Sequence, residues 1–114
     1  MNKILFLSLL FSSSVIANVH YATGKIADIV VGDDIAGKAV IYIENFSEAN
    51  TCPKFTAKNL VIASLPESKY SDSLFSAALM AYASNKEVKI RVDETKRDAN
   101  GWCEITQLRV NKNF

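Results

Sequence analysis

Beyond residue 17 the chain falls into short runs whose hydrophobic spacing changes once, from two to about 3.6 and back. Lys25–Val31 is rich in β-branched residues and bounded by Gly24 and Gly32, which predicts a first strand. A turn over Gly32–Gly37 leads to Lys38–Glu44, which alternates well enough for a second strand paired with the first as a hairpin. Asn45–Pro53 reads as loop, and a third strand falls within Phe55–Leu65, best at Leu60–Ala63. After Pro66 the period lengthens: Leu74, Phe75, Ala78, Leu79 and Tyr82 recur at helical spacing and predict an amphipathic helix within Tyr70–Ser84. Ser71 or Asp72 is placed to cap its start, and Asn85 to end it in a left-handed conformation. Strict alternation returns at Glu87–Asp93, with Val88, Ile90 and Val92 facing one way and Glu87, Lys89 and Arg91 the other. A polar turn at Asp98–Gly101 precedes a last strand, Cys103–Val110, whose parity breaks between Ile105 and Leu108 and so predicts a bulge near Thr106-Gln107.

The resulting order is β-β-β-α-β-β, mainly β with a single helix. A five-stranded Greek-key barrel with its helix between strands three and four is the OB-fold-like arrangement expected from that order. An open α+β sheet with the helix across one face is the alternative.

Residues 1–17 change the setting. Lys3 supplies a positive start, Ile4–Phe11 an apolar run, and Val15-Ile16-Ala17 a small-residue cleavage pattern before Asn18. This is the pattern of a signal peptide, and its apolar run is far short of the ~20 residues of a spanning helix. Residues 18–114 then form one domain in a secreted or periplasmic setting, with no membrane span after cleavage and enough chain for one modest core. In such a compartment the two cysteines, Cys52 and Cys103, are expected to form one disulfide; two free thiols or a metal pair are the rival readings. No C-x-x-C occurs and His20 is the sole histidine, so no metal and no cofactor is expected.

The full chain carries 13 Lys and Arg against 12 Asp and Glu, so loss of Lys3 leaves it balanced. Signs are interspersed from Lys86 to Asp98, and without a basic stripe nucleic acid is not an expected partner. Catalysis is not expected either. His20 lies near the expected mature terminus, where fraying spoils a held geometry, and the carboxylate pairs Asp33-Asp34 and Asp93-Glu94 fall on turns where charge is easily solvated. Asn45-Phe46-Ser47 matches a glycosylation sequon, read here as loop chemistry because the signal looks bacterial.

The segment Leu74–Val92 (LFSAALMAYASNKEVKIRV), together with the hairpin running from His20-Tyr21 through Val31-Gly32 to Tyr42-Ile43, resembles the B subunits of AB5 toxins of the subtilase and typhoid toxin type. In that family a helix rich in Leu, Ala and Tyr passes through a short turn into an alternating basic strand. The chain equally resembles small uncharacterised exported proteins of Gram-negative bacteria. The resemblance implies a non-enzymatic OB-fold protomer that assembles into a homo-oligomeric ring, a pentamer, beside a toxin A chain, and binds cell-surface glycans, often sialylated. Ala22 stands where the family has its sialic-acid-contacting serine, and Tyr42 and Ile43 occupy the strand in which the family carries a cysteine. The alternative function is that of a solitary periplasmic or secreted domain that binds or inhibits a protein partner.

Two sets of residues follow as candidates. Between Ser73 and Asn85 there is no charged residue, and the face away from the expected core stripe offers Ser73, Ser76, Ala77, Met80 and Ser84. A covered oligomer interface is one reading, and a short Ser/Ala helix wetted by its hydroxyls the other. Near loops and strand ends, Tyr21, Tyr42, Phe46 and Trp102 could stack on a sugar, with Thr23, Lys25 and Asp28 beside Tyr21 as the polar groups of a glycan site. Against this, Tyr42 could fill the barrel and Trp102 could pack over the disulfide.

Overall fold

A computed structural model describes residues 18–110. The expected signal segment, 1–17, lies outside the described residues, as do residues 111–114. Seven strands and one helix follow in the order β1 (Val19–Val30), β2 (Ala39–Ile43), β3 (Lys54–Phe55), β4 (Leu60–Val61), β5 (Ala63–Leu65), α1 (Ser71–Ala83), β6 (Glu87–Arg97) and β7 (Cys103–Val110). Five strands pair in the cyclic order β1-β2-β5-β7-β6, with β6 returning to β1, so the mixed sheet closes on itself. All these pairings are antiparallel except β5 with β7. The protein is thus mainly β with one helix, as its patterning predicts. The small hairpin β3–β4 is additional, and is inserted in the connection before β5.

β1 begins six residues before its expected start because pairing, rather than alternation of its own apolar residues, defines its first half. Val19–Lys25 pairs with β6, whereas Ile26–Val30 pairs with β2. The register shifts between Ile26 and Asp28, so Ala27 is an extra residue that lets one strand bend from one neighbour to the other. A second bulge leaves Thr106 unpaired between Gln107 and Ile105, where the broken parity of β7 places it.

Inside the closed sheet, Ile41, Ile43, Leu65, Val88, Ile90, Val92, Cys103 and Ile105 are fully or almost fully buried. The inward set of β6 is the one that strict alternation assigns. β2 is buried on both faces: Ala39, Ile41 and Ile43 join the inner core, while Val40 and Tyr42 join an outer cluster with Ile62 and, partly buried, Trp102. Tyr42 therefore does not fill the interior. Trp102 packs with this outer group, whereas Cys52 and Cys103 belong to the inner one.

The helix keeps the first part of the expected stripe on the core and turns the last part outward. Ala78 and Ala81 are fully buried and Leu74 and Phe75 pack partly against the core, whereas Leu79 and Tyr82 are exposed. Beyond Ala78 the inward place passes to the small Ala81, and the larger Leu79 and Tyr82 turn outward. Tyr70 occupies the cap position without a side-chain cap bond. Ser71 is buried and its Oγ accepts from the Ser68 N–H at 3.1 Å, while the Asp72 carboxylate pairs with Lys38. The far end behaves as expected, with Asn85 at φ 56°.

Candidate functional site

Alternation along the first half of β1 sends Tyr21, Thr23 and Lys25 to the outer face and Ala22 inward. Across the ladder these three lie opposite Arg91, Lys89 and Glu87. Tyr21 is 56% exposed, and the Lys89 ammonium stands 5.3 Å from its ring centroid, which steadies the ring by a cation–π contact.

The turn after β2 supplies the opposite wall. Phe46 is buried, and its N–H donates to the Ile43 carbonyl at 3.1 Å, with Asn45 at φ 68° between them. This anchored turn places Glu44, Asn45, Ser47 and Glu48 around a depression of about 320 Å³ whose other side is Tyr21 and Thr23. Glu48 is paired with Lys54 at 3.1 Å. Gly24 permits the approach: a Cβ there would lie 3.0 Å from the Glu44 carbonyl oxygen and 3.3 Å from Ile43 Cγ2.

Of the four residues expected at a glycan site, the structure brings Tyr21 and Thr23 to one depression. Lys25 shares their face but does not line it, and Asp28 is elsewhere. Regular alternation would send Asp28 inward with Ile26; the bulge at Ala27 instead sets it opposite Tyr42, where it accepts from Lys58 Nζ at 3.3 Å. Burial, followed by the neighbouring Asp28 charge, pushes the Tyr42 phenol above its usual range, and its ring stands 5.9 Å from that of Phe55. Phe46 is a candidate in the sequence, and the β1–β2 hairpin brings its turn back toward the start of β1, but Glu44 and Glu48 carry no signal of their own, because their place in a cavity wall depends on the close approach at Gly24.

The four helix residues also separate. Ser73, Ser76 and Met80 are exposed, and Ala77 is half-buried. Ser73 and Ala77 line a larger groove of about 660 Å³ between the helix and the outer side of β6 and β7, which also holds Arg91 and Lys96. Arg91 is oriented there by donating from Nε to Thr106 Oγ1 at 2.9 Å, so the bulged residue positions the guanidinium.

Asp93 and Glu94, expected on a turn, lie within β6, and Glu94 gathers a cluster near the start of β1. The Glu94 carboxylate accepts from Thr51 Oγ1, from Asn50 Nδ2 at 3.1 Å and from the Thr51 N–H, and meets His20 Nε2 at 3.1 Å. Arg97 donates from Nη2 to Thr51 Oγ1 at 2.8 Å. These bonds, Thr51 first and then His20 and Asn50, hold the Glu94 carboxyl down to about 2. His20 is held in β1 opposite Val92 rather than frayed. The carboxylate is the hub of the cluster, holding the side chains of His20, Asn50 and Thr51 together. It therefore works as a clasp on the residues that lead into Cys52.

Cys52 and Cys103 form a disulfide with a Cα–Cα separation of 5.6 Å. Among the described residues no group of three or more His, Cys, Asp or Glu side chains is arranged to hold a metal, and no helix is long and apolar enough to cross a membrane. No protein family matches the chain, and neither curated proteins nor solved structures provide a match.

Proposed function

We propose that this chain is an exported, non-enzymatic recognition module built on an OB-type Greek-key barrel, and that it binds glycans through the depression beside Tyr21. One observation carries the reading: a half-exposed aromatic ring, steadied by Lys89, stands with Thr23 at the edge of a cavity whose other wall is carboxylate, amide and hydroxyl. An aromatic platform with a few convergent polar groups is the chemistry that holds a sugar ring. The OB-type assignment is supported by the cyclic order β1-β2-β5-β7-β6, the parallel β5–β7 pair and a helix between the third and fourth strands of the ring. Export is supported by the pattern of residues 1–17 and by the disulfide.

A ring of identical protomers would present several such depressions together, so that weak single contacts add. In favour of self-association, α1 leaves Leu79, Met80 and Tyr82 about half exposed beside Ser73 and Ser76. A second reading, a solitary exported domain that docks on a protein partner, draws on the 660 Å³ groove beside Ser73 and Ala77.

Two measurements separate these readings. On a glycan array, the folded protein is expected to bind saccharide and Tyr21→Ala to lose that binding while its melting temperature holds; a folded protein silent on every sugar removes the glycan reading. Light scattering after size exclusion is expected to give a closed oligomer that Met80→Glu dissociates. A monomer at micromolar concentration supports the solitary domain.

A further inference from the structure

We infer that the Tyr21 depression selects hydroxyl-rich sugars that carry no acidic group, and prefers an amino sugar over its neutral counterpart. This rests on the saccharide reading of that cavity and assigns the ligand class. The lining decides the sign. Glu44 and Glu48 both contribute to it, and among the described residues no lysine, arginine or histidine does. A sugar carboxylate bound there would need a cation or several converging N–H donors to replace its water. The wall offers it carboxylates instead.

Two cations stand at the margins with partners: Lys54 is paired with Glu48, and Lys89 lies against the Tyr21 ring. Lys25, the next outward residue of β1, does not line the cavity. Glu44 has no ion-pair partner among the described residues. Its exposed carboxylate can accept from two vicinal hydroxyls, or from the ammonium of an amino sugar, while the ring of Tyr21 covers the apolar face of the pyranose.

Binding of the exported chain to polymer-linked glucosamine, glucose and N-acetylneuraminic acid, followed by interferometry at low salt, tests this. The glucosamine conjugate is expected to bind at least fivefold more tightly than the glucose conjugate, and the sialyl conjugate more weakly than either. Glu44→Gln is expected to weaken both conjugates by loss of a hydroxyl acceptor, but glucosamine at least fivefold more than glucose, so that the two bind alike. Sialyl binding equal to or tighter than glucose overturns the inference, as does a Glu44→Gln protein that retains the amino preference. A folded protein that binds none of the three conjugates overturns the saccharide reading as well.

Discussion

Reduction of the Cys52–Cys103 bridge should remove a large part of the stability of this domain. The two cysteines are 51 residues apart, and closing a loop of that length restricts the unfolded chain by about 4 kcal/mol on the chain-entropy account. Domains of this size are stable by only about 5–15 kcal/mol, and each kcal/mol moves their midpoint by about 4–8 °C, so a loss of about 15–30 °C is expected. The folded state itself should change little on reduction. Both sulfurs stay in the inner core, and the residues before Cys52 remain clasped to Glu94 through Asn50 and Thr51. Urea unfolding with and without reductant, followed by the fluorescence of the sole tryptophan, Trp102, measures the difference, and thiol labelling verifies that the bridge is open. A shift worth less than about 1 kcal/mol in fully reduced protein would refute the loop-entropy reasoning. The double variant Cys52→Ala/Cys103→Ala should lose more than reduction does, because it also removes two buried side chains from that core.

The Glu94 clasp predicts a pH dependence. Its carboxyl titrates at about 2 in the folded protein against an ordinary 4.5, so its contribution is complete above about pH 4.5 and is lost as pH falls toward 2. Stability should therefore fall across that window in the native protein and less steeply in Glu94→Gln; identical slopes would dismiss the clasp. Gly37→Ala should destabilise by about 2–3 kcal/mol, measured by urea midpoint, because a Cβ there would lie 2.3 Å from the Leu65 carbonyl oxygen that accepts the Lys38 N–H. Ile90→Ala should cost about 2–5 kcal/mol, since this side chain is completely buried inside the closed sheet, whereas Lys86→Ala on the exposed turn should stay within about 0.5 kcal/mol.

What the sequence by itself determined is whatever follows from local period and chemistry. The strict alternation of Glu87–Asp93, the broken parity at Thr106, the left-handed Asn85 and the pairing of the only two cysteines are all found where a one-dimensional pattern puts them. The outward placement of Tyr21 and Thr23 followed once β1 was known to extend back to Val19. Tertiary structure decided the rest, because it depends on neighbours distant in the chain. Of the expected helix stripe, Leu74, Phe75 and Ala78 face the core, and packing on the sheet gave Ala81 the inward place that periodicity offers to Leu79 and Tyr82. The bulge at Ala27 separated Asp28 from Tyr21, and closure of β6 onto β1 set His20 near Glu94, 74 residues away. The acidic wall of the Tyr21 depression is partly of the same kind: the expected hairpin brings the turn after β2 back to β1, but its anchoring by Phe46 and its close approach at Gly24 are contacts that no period encodes.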